Sequence, residues 1–380
     1  MKKIAIIGAS ELQLPLIEKA KEMGLETHVF AWAAGDVGET AADHFYPISI
    51  VEKDQICEEC RKIGVDGICT IASDLAAVAV NYVADKLGLT GNTLECTLVS
   101  TNKYRMRKTF EKCGDPTPKE VLLRSEDDFE KAKELAFPVV IKPLDRSGSR
   151  GITKIDTFEE LPAAFENACS QGFIKEAIVE EFIEGREFSV ECISWEGEHS
   201  LLNVTQKYTT SAPHFIEKAH LEPAQITVAE REDIREKVFH ALNSLGIRYG
   251  ASHSELKIRP DGSVCFVEIG GRMGGDFIGS DLVRLSTGYD FTKAVVETAL
   301  GIKPSMGDAK TRKAAGVRYI LDPEDLKAYE KINSEHPEYI VGKKIPSPEK
   351  LDLTVSDSSE RFGYYLMQAD KAEDLIPYLP

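Results

Sequence analysis

Three features that would each define a class of protein are missing from this sequence of 380 residues. It has no apolar run of 18 residues, so no membrane-spanning helix is expected. It has 46 lysines and arginines against 63 aspartates and glutamates, and a net charge of −17 leaves no basic face for nucleic acid. It also lacks the GxxxxGK[ST] loop of one large group of nucleotide-binding proteins.

The cysteines and the amino terminus indicate a reduced, cytoplasmic protein. Most of the eight cysteines lie in apolar contexts, where a free thiol behaves as a small hydrophobe. Cys57 and Cys60 have the spacing of a redox or metal pair, but they lie in a predicted helix without a second pair. The start MKKIAII is similar to that of a signal peptide, yet its apolar run ends after about five residues at Gly8.

The first hundred residues alternate short apolar strands with helices that end at glycine. The predicted elements are strand 3–7, helix 12–23, strand 27–31, helix 54–62, strand 67–70 and helix 76–87. This rhythm predicts a parallel sheet with helices on both faces. Gly8-Ala9-Ser10 lacks the further glycines of a dinucleotide fingerprint, so NAD binding is not expected and a small-molecule cleft is favoured.

Residues 252–276 carry the strongest signal, because two short strands flank a tight-turn sequence. A two-residue loop at Asp261-Gly262 would place Glu255 opposite Glu268, and His253 opposite Gly270. Like charges directly opposite one another destabilise a ladder unless they share a proton or hold a cation. The alternative is an exposed hairpin in a different register, whose charges face water.

The residues after this hairpin favour the cation. Gly270-Gly271, Arg272 and Gly274-Gly275 follow at once, and they supply an arginine beside an open glycine turn. Carboxylates that hold Mg²⁺ next to such groups provide what phosphoryl transfer needs.

A second phosphate-binding signal lies near residue 142. Lys142 closes the apolar strand 137–143, where an ammonium needs an anion or water. The glycine-rich loop Ser147–Gly151 follows, and its backbone N–H groups are free to turn toward a phosphate. The alternative is a snorkelling edge lysine next to an ordinary hairpin turn.

The order of these motifs resembles the ATP-grasp superfamily over essentially the whole chain. The basic helix at Asn102–Lys108 precedes the VIKP strand and the SGSRG loop, and these are followed by EEFIEGRE at 180–187 and the hairpin. The resemblance implies an α/β and α+β protein with the ATP-grasp fold. Its expected parts are a doubly wound parallel-sheet domain at 1–100, an ATP-grasp domain at 101–308 with a nucleotide lid at about 115–187, and a small α+β domain at 309–380.

The resemblance also assigns roles to single residues. Glu255 and Glu268 match the Mg²⁺ ligands (Mn²⁺ being an alternative ion), and Arg272 and Lys142 match the catalytic cations that stabilise the transferred phosphoryl group and the tetrahedral intermediate. Contacts with ATP phosphates, adenine and ribose are implied for Lys103, Lys142, Ser147, Gly148, Ser149, Glu180, Glu181, Ile183 and Glu187. Most members have an asparagine metal ligand where this chain has Gly270, so either water or His253 is expected to fill that position.

The segment Asn203–Ala224 resembles L-amino-acid ligases, in which a Glu-x-x-His pair faces the amino-acid site. This implies that Glu217 binds a substrate ammonium beside His220, while Arg272 and the backbone at Gly275 suit a carboxylate and its oxyanion. The expected enzyme is an ADP-forming ligase that joins a small-molecule carboxylate to an amine, and a homodimer is expected. The alternatives are an ordinary polar loop at 203–224, a ligase similar to carbamoyl-phosphate synthase or phosphoribosylglycinamide synthetase, and a non-catalytic ATP-binding protein.

Overall fold

The computed structural model describes the chain from Met1 to Pro380, except residues 147, 149, 211–214, 308, 348–350, 352–354 and 356. The described strands form three sheets, one parallel and two that are antiparallel or largely so. Among the described residues, no helix combines the length and the apolarity needed to cross a bilayer.

The amino-terminal sheet is parallel, as predicted. Its strands are β1 (Lys3–Ile7), β2 (Glu26–Phe30), β3 (His44–Tyr46) and β4 (Gly67–Cys69), in the order β3-β2-β1-β4. The connecting helices are α1 (Leu14–Glu22), α2 (Val37–Ala41), α3 (Lys53–Ile63) and α4 (Asp74–Leu87). Ile4 and Ile6 face a core shared with α1, while Ala5 and Ile7 face a core shared with α3 and α4. Both faces of the sheet are therefore covered.

The cysteine pair belongs to this packing. Cys57 and Cys60 are free and lie on the buried side of α3. Burial raises the pKa of the Cys60 thiol to about 12, so this thiol is protonated and inert at neutral pH.

A second, antiparallel sheet follows the helices α5 (Leu94–Thr101) and α6 (Lys103–Cys113). Its strands are β5 (Glu120–Leu123), β6 (Val139–Pro143), β7 (Thr153–Ile155) and β8 (Ala177–Glu181), in the order β5-β8-β6-β7. Helix α7 (Leu161–Gln171) packs on one face and closes a core around Val139, Ile141 and Val179. Lys142 thus ends a central strand of this sheet, which excludes the snorkelling edge position.

The third sheet has eight strands and runs through the rest of the chain. It contains β9 (Arg186–Trp195), β10 (Glu198–Thr209), β11 (Glu217–Glu222), β12 (Gly250–Ile258), β13 (Val264–Gly270), β14 (Ala314–Ile320), β15 (Ile340–Lys344) and β16 (Gly363–Ala369). The order is β13-β12-β9-β10-β11-β14-β16-β15. The remaining helices are α8 (Val228–Leu245), α9 (Val283–Thr287), α10 (Phe291–Ala299) and α11 (Pro323–Glu335).

Two connections link regions that the sequence separates. Strand β11 pairs with β14, so the carboxy-terminal strands extend the central sheet. Helix α10 packs against α1 and β4, and its Phe291 and Val295 belong to the core of the amino-terminal sheet. The domain limits at residues 100 and 308 stay a prediction.

Candidate active site

The two predicted metal-binding carboxylates lie opposite one another. Glu255 on β12 pairs with Glu268 on β13, and His253 pairs with Gly270, so the predicted register is confirmed at these positions. The alternative register is therefore excluded, and both carboxylates lie on one face of the hairpin.

The predicted two-residue loop is wrong, although the register it gave is right. The Arg259 N–H donates to the Ser263 carbonyl, so the loop has three residues, with Gly262 at a φ of 85°. A shift in register between Glu255 and Leu256 leaves Val267 as an extra residue in β13. The longer loop shifts the pairing by one residue, and the bulge shifts it back by one residue. The predicted pairing of Glu255 with Glu268 is therefore restored beyond the bulge.

Each carboxylate of this pair is met by a buried lysine. Lys103 Nζ lies 2.8 Å from Glu268 Oε1, and Lys207 Nζ lies 3.1 Å from Glu255 Oε1. Burial opposes the charge on Lys207, but the surrounding carboxylates outweigh it and raise its pKa well above the ordinary value. The negative charge of the two carboxylates is therefore balanced by the two lysines.

Lys207 is a site residue that the sequence analysis missed. Its ammonium also lies 3.1 Å from Glu187 and 3.7 Å from Glu217. Lys207 therefore contacts the carboxylates that are expected to bind ribose, metal and substrate. It occurs in an alternating strand without a motif, and only the pairing of β10 with β9 brings it to the site. No local sequence signal could have identified it.

Lys142, Glu180 and Arg107 form a buried ionic triad. Lys142 Nζ lies 2.5 Å from Glu180 Oε2, and Arg107 Nε lies 2.7 Å from Glu180 Oε1. Burial lowers the pKa of Lys142. Burial also opposes the ionisation of Glu180, but the two cations outweigh it and hold the pKa of Glu180 below its ordinary value. Two cations share one carboxylate, so the triad has a surplus positive charge for a phosphate.

Arg107 was also missed, although a signal for it existed. It is fully buried and lies one helical turn after Lys103 on α6, so both basic side chains leave the same face. Its Nη2 donates to the Val267 carbonyl at 2.6 Å, which ties α6 to the bulge in β13.

The remaining predicted nucleotide contacts lie around the end of β8. Glu181 donates its N–H to the Lys119 carbonyl, and Ile183 is 9% exposed. Glu187 lines a cavity of about 240 Å³ together with Lys207 and Lys257. Lys103 Nζ donates to the Arg146 carbonyl at 2.7 Å, just before the glycine loop.

The glycine loop is only partly described. Gly148 has a φ of 72°, and the space beside its Cα is open. Ser147 and Ser149, predicted to contact ATP, lie outside the described residues. Their roles and that of Gly148 stay predictions.

Arg272 is held by a carboxylate from the amino-terminal part of the chain. Its Nε and Nη2 donate to Asp74 at 2.9 and 2.8 Å. Burial opposes the charge on Asp74, but the guanidinium outweighs it and lowers the pKa of Asp74. Asp74 begins α4, so this bidentate pair fixes Arg272 against the carboxyl end of β4.

Asp74 also explains the absence of the usual asparagine at position 270. A Cβ on Gly270 would lie 2.6 Å from Asp74 Oδ1 and 3.3 Å from the Arg272 guanidinium carbon. No side chain fits there while the pair is in place. The exchange of asparagine for glycine is thus matched to the acidic partner of Arg272.

We expect Gly270→Asn to lower ligase activity at least about 10-fold, because the new side chain displaces Asp74 and releases Arg272. The double variant Gly270→Asn/Asp74→Gly should be about as active as Asp74→Gly alone, because both single changes act by breaking the same pair. Steady-state ADP release measures both. An active single variant, or a double variant with the summed losses of Gly270→Asn and Asp74→Gly, would contradict this coupling.

Both ring nitrogens of His253 face carboxylates. Its Nδ1 contacts Glu191, and its Nε2 lies 3.2 Å from Glu255 Oε1. Burial disfavours the charged ring, but Glu191 outweighs it and raises the pKa of His253 to about 9. Whether water or His253 fills the position of the missing asparagine stays a prediction.

Glu217 and His220, predicted to face an amino acid, lie on strand β11 rather than in a loop. Residues three apart on a regular strand face opposite sides, but the register shift beside Thr209 leaves Lys218 as an extra residue. Glu217 contacts Lys207, which pairs with His220 in the ladder, so both approach one face.

A charged cluster surrounds this pair. His220 is fully buried, and its Nε2 lies 3.8 Å from Asp276, whose carboxylate accepts two hydrogen bonds from Arg361 at 2.8 and 2.7 Å. Ser358 Oγ donates to Glu217 at 2.5 Å. Asp276 and Arg361 were missed because one lies in a turn and the other lies far along the chain.

The turn after Arg272 is backbone-strained. Asp276 and Phe277 have φ values of 52° and 65°, which non-glycine residues adopt only when their surroundings enforce it. Gly275, a predicted substrate contact, would place a Cβ 3.3 Å from that of Ala72 in the turn after β4. The predicted oxyanion position is thus closely packed against the amino-terminal sheet.

The chain is similar to several known proteins. Residues 135–281 match the family model described as the ATP-grasp domain. A D-alanine–D-alanine ligase of Aromatoleum aromaticum is 27% identical over 225 residues, which cover 56% of this chain and 71% of the relative. A formate-dependent phosphoribosylglycinamide formyltransferase of Bacteroides fragilis is 28% identical over 305 residues, covering 68% and 71%.

The crystal structure of an L-amino acid ligase from Bacillus licheniformis has a similar fold. It superposes with a TM-score of 0.84 at 23% identity and covers 100% of this chain and 96% of the other. The predicted ATP-grasp fold is therefore confirmed.

Residues 135–281 belong to the ATP-grasp domain family. Within it, the chain falls in the class of ADP-forming ligases that make carbon–nitrogen bonds with ATP. Enzymes of this class generally use Mg²⁺ with ATP and act on small molecules.

Proposed function

We propose that the protein joins the carboxylate of one amino-acid-type substrate to the amine of a second through an acyl phosphate, with release of ADP and phosphate. The observation that carries the proposal is the facing pair Glu255 and Glu268 between the cations Lys103, Lys207 and Arg272. A non-catalytic nucleotide-binding protein would have no need for this combination.

Glu255 and Glu268 are the residues that would hold Mg²⁺. They fit it because carboxylate oxygens are its preferred protein ligands and because the two carboxylates face one another across the hairpin. When bound, the ion neutralises negative charge on the triphosphate oxygens.

The chain's own residues support both chemical steps. Lys103, Lys142 and Arg107 provide the positive charge that stabilises the γ-phosphoryl group while a substrate carboxylate oxygen displaces ADP. Arg272, locked by Asp74, is oriented to stabilise the oxyanion when the amine attacks the acyl phosphate. The carbon–nitrogen bond forms, phosphate leaves, and the amine loses one proton.

Amino-acid substrates are supported by the cluster around β11. Glu217 offers a carboxylate to a substrate ammonium, and Arg361 offers a guanidinium to a substrate carboxylate. Asp276 contacts both His220 and Arg361 and so sets the position of the guanidinium. Groups of both signs within one buried cluster suit a zwitterion better than a sugar phosphate.

A homodimer and a cytoplasmic location remain part of this proposal. All eight cysteines are free, which is consistent with a reducing compartment. Sedimentation at micromolar concentration would measure the oligomeric state directly.

ADP release with Mg·ATP against a matrix of amino-acid pairs tests the proposal. Turnover that requires two amino acids and yields a product with one new amide bond is the expected result. Turnover with formate or a glycinamide compound instead would favour the chemistry named for the Bacteroides fragilis relative. Binding of ATP without turnover in any mixture would favour a non-catalytic role.

A further inference from the structure

Three residues at the edge of the amino-terminal sheet bring their ligand atoms together. Glu26 and His28 lie on one face of β2, and His44 on β3 is the register partner of His28. One ligand atom of each residue lies within 4.8 Å of the others. Among the described residues, this is the one group of at least three histidine, cysteine or carboxylate side chains that meets this condition.

The distances within the group are those of a metal site. Glu26 Oε1 lies 3.3 Å from His28 Nε2 and 3.1 Å from His44 Nε2. Two ligands bound at about 2.0 Å to a tetrahedral ion lie about 3.3 Å apart. The two imidazole rings are stacked, with centroids 4.7 Å apart and planes inclined by 15°, so the exposed ring of His44 has to turn for both nitrogens to reach one ion.

His28 is the most deeply buried member of the group. The side chain is 3% exposed, and its Nε2 makes no hydrogen bond to any described group. Its Nδ1 lies 3.1 Å from the Tyr46 hydroxyl, a contact that orients the ring.

We propose that Glu26, His28 and His44 form a binding site for a divalent ion of the zinc class. Two imidazoles and one carboxylate are ligands that suit Zn²⁺ and related ions, and the exposed side of His44 leaves a coordination position for water.

The site is separate from the candidate active site. Glu26 and His44 are the first residues of β2 and β3, at the amino ends of the parallel strands. Asp74 and Arg272 meet beyond the carboxyl end of β4, at the opposite edge. The ion would therefore clamp the three-residue edge strand β3 to β2 and take no part in catalysis.

Titration of the metal-free protein with Co²⁺, in saturating Mg²⁺ that occupies the catalytic carboxylates, tests the site. We expect one equivalent to give the visible spectrum of tetrahedral cobalt, without a thiolate charge-transfer band, and Zn²⁺ to displace it. His44→Ala and Glu26→Gln should each weaken binding at least about 10-fold. Zn²⁺ should also raise the Tm of the parent protein and leave that of His44→Ala unchanged.

His336→Ala is the matched control, because His336 is another exposed histidine, 2.9 Å from the carboxylate of Glu338, without a second imidazole in reach. It should bind Co²⁺ as the parent protein does. No saturable spectrum, equal affinity in His44→Ala and the parent protein, or loss of binding in Glu268→Gln would overturn the proposal. Because the readout is a spectrum, its failure leaves the ligase proposal intact.

Discussion

Replacement of Glu268 by glutamine is expected to lower kcat/KM for ADP release at least about 100-fold, while the protein stays folded. The amide keeps the shape of the side chain but removes its charge. Lys103 then loses its carboxylate partner at 2.8 Å, and the facing pair with Glu255 has one charge instead of two. The Mg²⁺ concentration for half-maximal rate should rise as well.

Two further variants, one at the facing carboxylate and one control, show whether the loss is specific to the metal site. Glu255→Gln, on the facing strand, should cause a loss of similar size with the same change in Mg²⁺ dependence. Glu198→Gln, at the exposed start of β10, should leave both quantities unchanged. A Glu268→Gln enzyme within about threefold of the parent would rule out the carboxylate pair as the metal site.

Replacement of Glu180 by glutamine is expected to cost about 3–5 kcal/mol of stability, the largest effect of any single change considered. The substitution leaves Arg107 and Lys142 buried without their shared carboxylate. Like-charged groups that cannot reach water oppose folding strongly. The midpoint of urea unfolding, followed by circular dichroism, measures the loss.

The asymmetry of the triad sharpens this test. Arg107→Met leaves Lys142 and Glu180 as a balanced pair, so it should cost less than Glu180→Gln. Glu181→Gln, the adjacent position on β8, is the matched control and should change stability by less than about 1 kcal/mol. Equal losses in Glu180→Gln and Arg107→Met would mean that packing, rather than charge, governs this site.

Nucleotide should reverse part of the Glu180→Gln effect. If the surplus charge of the triad serves the phosphates, ATP should raise the unfolding midpoint of Glu180→Gln more than that of the parent protein. Binding measured by calorimetry separates this effect from a loss of affinity through the adenine position.

The sequence was sufficient where function depends on local order. The facing of Glu255 and Glu268, the exposure of Lys142 to an anion and the helical turn at Lys103 all follow from short motifs. Register was recovered even though the loop was wrong, because a bulge at Val267 offset the longer turn.

The partners that complete the site come from distant segments and carry no local pattern. Asp74 reaches Arg272 across 198 positions of the chain, and Arg361 reaches Asp276 across 85. Lys207 reaches Glu255 only because β10 and β12 flank β9. A single sequence specifies such contacts through the whole fold, so they cannot be identified before the sheets are assembled.

The pairing of β11 with β14 has a consequence for how this enzyme can be altered. The strand that bears Glu217 and His220 is held on its far edge by residues 315–318, and Arg361 reaches the same cluster from the segment before β16. Under the proposed function, the residues that recognise the substrate are therefore not carried by an exchangeable loop. A chimaera that takes only residues 203–224 from a relative would pair the foreign strand β11 with the original β14 and Arg361. A chimaera that also takes residues 314–369 would transfer the whole cluster together with its neighbouring strands.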